Sequence, residues 1–157
     1  MISVGLVTIG KVKKKFLLDA INHYLKMSKP YVSWQIFELK PEKFSDSNKV
    51  QAQRTEQQRL EEFLKNNNQK NIWQPILLTE TGTEFSSQQF SQWLTKLAKT
   101  PLFILGGSLG FDDDFKKEFK MQLSLSQLTT THELARLIIT EQIYRSATII
   151  NDKNYHN

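Results

Sequence analysis

The run Leu102-Phe103-Ile104-Leu105-Gly106-Gly107-Ser108-Leu109-Gly110 predicts a short apolar strand that leads into a glycine-rich turn. The segment that follows starts near Asp112 with three consecutive acids and predicts a short helix, because the helix dipole favours acids in the first turn. Glycines let the backbone turn sharply and approach a ligand closely. We therefore expect a buried strand, a turn that can approach a ligand, and then a helix.

Apolar runs and helical patterns alternate along the whole chain in the same way. The predicted strands are 2–8, 32–39, 72–79, 102–105 and 123–125, with Pro75 interrupting the third. The predicted helices are 13–27, 50–64, 86–98, 112–120 and 132–150. Strands separated by helices predict an α/β fold with a mostly parallel sheet and helices on both faces. Ligands bind such sheets beyond the carboxyl ends of the strands.

Length and composition predict one soluble, cytosolic domain over residues 1–157. The 157 residues suffice for a single core, and the absence of cysteine excludes disulfides and thiolate zinc sites. The apolar start precedes the first lysines, whereas a secretory signal places its charges first. No stretch approaches the length of a membrane-spanning helix, so we expect no membrane partner.

The formal net charge of +5 lies entirely in residues 1–30, which hold six lysines and one acid. Four of these lysines, Lys11, Lys13, Lys14 and Lys15, are nearly consecutive. Clustered lysines can neutralise phosphates and attract nucleic acid in a salt-sensitive way. The same cluster is also typical of the solvated face of an amphipathic helix, and the sequence leaves both interpretations open.

The turn also fits the Gly-x-Ser-x-Gly pattern of a serine hydrolase, with Ser108 as the nucleophile. Asp152 and His156 follow it in the chain order that such enzymes use. Against this reading, the chain is short for an α/β-hydrolase, and the acid and base lie only four residues apart in a terminal tail. A serine hydrolase is therefore kept as a minor alternative.

The helix from His132 and the tail after it hold the other chemically capable side chains. His132 and Arg136 are four residues apart and share a helix face, and Glu141 and Arg145 have the spacing of an ion pair. A backbone-satisfied helix start and a structural salt bridge would explain His132 and Arg136 equally well. Histidines without cysteines or a His-x-x-x-His spacing predict no metal site.

Five motifs follow one another along the chain: Gly106-Gly107-Ser108-Leu109-Gly110, Leu123-Ser124-Leu125-Ser126-x-Leu128-Thr129, His132-x-x-x-Arg136, Glu141-Gln142-Ile143-Tyr144-Arg145 and Tyr155-His156. Taken in this order, they resemble the RlmH family of SPOUT-class methyltransferases, which methylate N3 of a pseudouridine in large-subunit ribosomal RNA. The opening Thr8-Ile9-Gly10-Lys11-Val12-Lys13 also resembles the start of that family. One departure is Thr130-Thr131, where the family usually has an aromatic or aliphatic residue followed by proline.

The resemblance implies a SPOUT-type fold with a trefoil knot over about 72–157, a homodimer, and the cofactor S-adenosyl-L-methionine bound in the knot loops. The implied partner is ribosomal RNA in the large subunit or the assembled ribosome. Carried over by position, the cofactor contacts would be Leu78, Gly106, Leu125, Ser126, Gln127, Leu128, Thr129 and Thr130.

Methylating an imide nitrogen requires that the nitrogen lose a proton, and histidine suits the role of general base. His156 is the first choice for this base, with Tyr155 orienting it, and His132 is the alternative. Arg136 and Arg145 are expected to bind phosphate or to stabilise charge on the uracil oxygens. The alternative from another functional class is a non-catalytic RNA-binding module with the same fold.

Overall fold

A computed structural model of the chain describes residues 1–68 and 70–152. A five-stranded sheet in the order β2-β1-β4-β3-β5 forms its centre, and every strand pair is parallel. The strands are β1 (Ile2–Ile9), β2 (Val32–Leu39), β3 (Trp73–Thr83), β4 (Thr100–Leu105) and β5 (Gln122–Leu123). The predicted α/β fold with a parallel sheet is confirmed.

Helices cover both faces of this sheet, as predicted. They are α1 (Lys15–Ser28), α2 (Lys49–Asn67), α3 (Ser87–Thr95), α4 (Asp113–Lys117) and α5 (His132–Ile150). Helices α3 and α5 bury apolar side chains on one face, α2 and α4 do so on the other, and α1 packs against α5. β1 shows why its sequence is continuously apolar: Val4 and Leu6 join the first cluster, and Val7 and Ile9 join the second.

The prediction that Pro75 interrupts its strand is wrong, because β3 runs through it in register with Leu102 of β4. The Leu77 N–H bonds the Met121 carbonyl on the β5 side at 3.0 Å, and alternate residues of a strand point the same way. The Pro75 nitrogen therefore faces that side too. β5 begins only at Gln122, level with Leu77, so Pro75 removes no ladder hydrogen bond to the strands described here.

Helix α5 spans the predicted residues, because Thr131 caps it by accepting a hydrogen bond from the Leu134 N–H at 3.3 Å. The departure from the family at this position therefore leaves the helix start capped. Helix α1 begins at Lys15, so Lys13 and Lys14 lie in the loop that follows β1 rather than in a helix. The other observed ends differ from the predicted ones by a few residues. The knot over about 72–157 and the single domain over 1–157 stay predictions.

Candidate cofactor and active site

A cavity of about 410 Å³ lies beyond the carboxyl ends of β3, β4 and β5. Three segments converge on it: Leu78–Glu80 in the second half of β3, the glycine turn after β4, and the loop between β5 and α5. His132, Ala135 and Ile138 on the first turns of α5 complete the lining. This is where a parallel α/β sheet is expected to bind a ligand, and the volume is in the usual range for small-molecule sites.

The glycine turn is shaped by close packing. A Cβ at Gly106 would come within 3.1 Å of the Phe111 ring, and a Cβ at Gly107 would come within 3.1 Å of the Ile9 side chain. Gly110 has a φ of +62°, which side chains disfavour. A side chain at Gly106 or Gly107 would require its neighbour to give way, and the glycines leave bare backbone at the cavity wall.

Seven of the eight predicted cofactor residues line this cavity. They are Leu78, Gly106, Leu125, Ser126, Leu128, Thr129 and Thr130. Gln127 does not belong to the lining. The residues come from three separate stretches of chain, so the structure brings together what the sequence holds apart.

His132 is the predicted catalytic side chain that lines the cavity in the part of the chain described. Burial lowers its pKa below the ordinary value of 6.5; Glu133 raises it, and the charges of Lys13 and Lys14 lower it further. The imidazole is therefore neutral at pH 7 and able to accept a proton.

The same end of α5 anchors the lysine cluster. Both carboxylate oxygens of the buried Glu133 accept backbone hydrogen bonds, from Lys13 N at 3.3 Å and from Lys14 N at 3.2 Å. Burial works against the charge on Glu133, but these bonds outweigh it and its pKa is lowered. The backbone of Lys13 and Lys14 is thus held beside Glu133, and the charges of these two exposed lysines act on the neighbouring His132.

The two predicted arginines are both bound to acids and neither lines the cavity. Arg136 is 6% exposed, and its Nη1 lies 2.7 Å from Glu38 Oε1 at the end of β2. Arg145 Nη2 lies 2.6 Å from Glu141 Oε1, which confirms the ion pair that the spacing indicated. The catalytic roles of the arginines stay predictions. Tyr155 and His156 lie outside the described residues, so their roles also stay predictions.

Sequence reasoning missed an ion pair at the cavity rim. Lys116 Nζ lies 3.1 Å from Glu80 Oε1, and both residues line the cavity. The Glu80 backbone N–H and then the Lys116 side chain lower the pKa of this carboxyl. Glu80 had a usable signal, since it follows the apolar run of β3 near its carboxyl end. Lys116 had none, because only the packing of α4 brings it there.

Residues 1–68 and 70–152 hold no cluster of three histidine, cysteine, aspartate or glutamate side chains that could bind a metal ion. They also hold no helix that is long and apolar enough to cross a membrane.

A parallel α/β sheet with a glycine-walled cavity beyond its strand ends defines a class of nucleotide- and cofactor-binding proteins. Comparison with known families narrows this class, because the family model described as "Predicted SPOUT methyltransferase" matches residues 2–156. The chain belongs to the SPOUT methyltransferase family. Its relatives bear the names that the RlmH resemblance led us to expect, so that resemblance is confirmed.

Two similar proteins are named ribosomal RNA large subunit methyltransferase H. The one from Enterococcus faecalis is 37% identical over 161 residues, and the one from Streptococcus mutans is 38% identical over 162 residues; each alignment covers 98% of both chains. A solved structure of a probable methylase family protein from Haemophilus influenzae has a TM-score of 0.58 at 10% identity, covering 98% of this chain and 70% of that one. This last likeness supports the fold alone.

The serine hydrolase alternative finds no support in the geometry. A nucleophile elbow needs a helix directly after the serine, but α4 begins only at Asp113, after the turn has continued through Gly110. Ser108 is a small residue in the lining of the cavity.

Proposed function

We propose that the chain transfers a methyl group from S-adenosylmethionine to N3 of a pseudouridine in large-subunit ribosomal RNA. The observation that carries this proposal is the convergence of seven expected cofactor residues on one cavity that also contains His132. The names of the relatives support the RNA substrate. The glycine turn supports the cofactor, because Gly106 and Gly107 leave bare backbone where a side chain would not fit.

When bound, S-adenosylmethionine supplies an electrophilic methyl group on its sulfonium. The residues of this chain must hold N3 of the pseudouridine in line with that group, and one of them must act as the general base that takes the proton N3 loses. We propose His156 as this base, oriented by Tyr155. His132 is the alternative, and its lowered pKa leaves it in the neutral form that a base requires.

The lysine cluster is proposed as the RNA contact nearest the site. Its backbone is tied to Glu133, next to His132, and Lys11, Lys13, Lys14 and Lys15 are all exposed. Phosphates held there would place an adjacent unpaired base close to the cavity. A single-stranded loop is the substrate we expect, since N3 is buried in a paired helix.

We also propose a cytosolic homodimer in which each tail completes the cavity of the partner. Helix α5 starts at the cavity and its 19 residues span about 28 Å. The six residues from Ile150 to His156 reach at most about 21 Å, so the tail would have to double back fully extended to approach its own His132. The exposed Phe16 and Leu134, on the packed helices α1 and α5, offer apolar surface to a second copy.

Mixing two inactive variants tests the shared site. If Gly106→Val destroys the cavity of one subunit and His156→Ala destroys the tail of the other, each heterodimer regains one of its two sites. A random equal mixture therefore regains activity at about a quarter of all its sites. Sites built within one subunit would regain none.

Titration calorimetry with S-adenosylmethionine tests the proposed function. We expect saturable binding with one site per chain. A folded protein that binds large-subunit RNA but no cofactor would instead be the non-catalytic RNA-binding module.

A further inference from the structure

The loop that links β4 to α4 walls the cavity on one side and is held by helix α2 on the other. Gln53 Nε2 donates a hydrogen bond to the Leu109 carbonyl at 2.9 Å. One turn further along α2, Gln57 makes two hydrogen bonds to Asp112. No described residue of α2 lines the cavity, so the helix would affect a bound ligand indirectly, and these hydrogen bonds connect it to the cavity wall.

The contact between Gln57 and Asp112 has only one workable arrangement. Gln57 Nε2 donates to Asp112 Oδ2 at 2.8 Å, while Gln57 Oε1 accepts from the Asp112 backbone N–H at 2.8 Å. The amide cannot be flipped without losing both bonds. Gln57 is 6% exposed, so a lost partner would leave a buried polar group unsatisfied.

Asp112 connects this hydrogen-bonded pair to both the start of α4 and the cavity wall. Its other oxygen, Oδ1, caps α4 by accepting from the Phe115 N–H at 2.8 Å. The preceding residue, Phe111, lines the cavity, and its ring lies against the backbone of Gly106. The hydrogen bonds from Gln57 and Phe115 lower the pKa of Asp112, which is a carboxylate at neutral pH. A shift of Asp112 would therefore move Phe111 and the glycine turn.

We propose that Gln57 is a positioning residue for the cofactor: through Asp112 it holds the Gly106–Phe111 wall in the shape that binds S-adenosylmethionine. This inference rests on the proposed function, because it takes the cavity to be the cofactor site. According to this inference, helix α2 contributes to cofactor affinity although it lies outside the cavity.

Exchanging donor and acceptor tests the proposal. In Gln57→Glu, a carboxylate oxygen of residue 57 faces the Asp112 carboxylate. In Asp112→Asn, an amide N–H of residue 112 faces the amide N–H of Gln57. Each change should weaken cofactor binding by about tenfold or more, in line with the loss of buried hydrogen bonds. The double variant reverses the direction of the bond, keeps the charge and preserves an acceptor for Phe115. It should bind within about threefold of the wild type.

The matched control is Gln58→Glu, which makes the same charge change at the exposed neighbour on the same helix. Gln57→Met supplies an uncharged variant of similar shape that should also weaken binding, in case Gln57→Glu does not fold. Urea unfolding confirms that each variant is folded. Steady-state assays should show a raised KM for S-adenosylmethionine with little change in kcat at saturation, which a general loss of stability would not produce.

The proposal is overturned if folded Gln57→Glu, Gln57→Met and Asp112→Asn bind the cofactor as tightly as Gln58→Glu. It is also overturned if the double variant binds no better than the single ones. A wild-type protein that binds no S-adenosylmethionine would refute the proposed function, and this inference with it. Wild-type binding that the Gln57 variants leave unchanged would refute this inference alone.

Discussion

The two ends of the parallel sheet differ in chemistry more than in size. A cavity of about 580 Å³ lies at the amino end, and the one at the carboxyl end measures about 410 Å³. The described residues that line the amino-end cavity include no histidine, acid or glycine, and its Lys99 donates to Asn71 at 2.7 Å. The carboxyl-end cavity has the glycine turn and His132. The glycine backbone and the histidine, rather than volume, therefore distinguish the proposed site from the amino-end cavity.

The largest expected effect on turnover comes from changing the C-terminal tail. This change tests whether the carboxyl-end cavity needs a residue from outside its own lining. His156→Ala should lower turnover by roughly two to four orders of magnitude, as is typical of losing a general base. Cofactor affinity and folding should not change. His23→Ala, which removes an exposed histidine on α1, serves as the control in single-turnover assays. Normal turnover in His156→Ala would transfer the role of base to His132.

Adding bulk to each cavity sharpens the comparison next. Gly106→Val places methyl groups against Phe111 and should weaken S-adenosylmethionine binding by about a hundredfold. Ala98→Val adds similar bulk to the amino-end cavity and should leave binding unchanged. Ser108→Ala should bind normally, because the turn needs only a small residue there. Equal losses in Gly106→Val and Ala98→Val, measured by calorimetry, would erase the distinction between the two ends.

The strands and helices were predictable because apolar periodicity is a local property of the sequence. The glycine turn was also visible locally, and the family resemblance supplied the loop between β5 and α5. The paths of individual side chains were not predictable. Arg136 pairs with Glu38 from 98 residues away, and Gln57 pairs with Asp112 from 55 residues away. The packing of α5 on the sheet and of α2 on the loop brings these partners together. Rules based on sequence spacing do not predict that packing.

Pro75 teaches the same lesson for the backbone. The rule that proline breaks a central strand assumes a neighbour on both sides. Among the described strands, β5 is too short to reach Pro75 on its side of β3, and the length of β5 is a property of another part of the chain.

Two sets of exposed lysines, one at each end of the sheet, allow the two ends to be compared as RNA-binding surfaces. Changing Lys13, Lys14 and Lys15 to glutamine should weaken RNA binding by about tenfold near 0.1 M salt and flatten its salt dependence. Cofactor affinity should stay the same. The control removes three other exposed lysines, Lys26, Lys29 and Lys96, at the far ends of α1 and α3. Equal salt slopes in the two triple variants would make the cluster an ordinary solvated surface.

The smallest expected effect concerns the pH dependence of stability. The pKa of His132 is lower in the folded chain than in the unfolded chain, so near pH 6.5 this histidine is protonated in more of the unfolded molecules than of the folded ones. His132 therefore favours folding above that pH, and this contribution is lost as the pH falls. His132→Asn should lose less stability than the wild type between about pH 7.5 and 5.5. Parallel curves from urea unfolding would show that His132 is not held neutral in the folded protein.

The central claim is that the carboxyl-end cavity carries out methyl transfer to large-subunit RNA. Its most direct test incubates the protein and S-adenosylmethionine carrying a labelled methyl group with free RNA, large subunits and assembled ribosomes that lack the modification. Nuclease digestion and mass spectrometry then locate the label. We predict label on N3 of one pseudouridine with the wild type and with Ala98→Val, and none with Gly106→Val. If the protein binds both cofactor and RNA but labels none of the three substrates, methyl transfer at this cavity is contradicted.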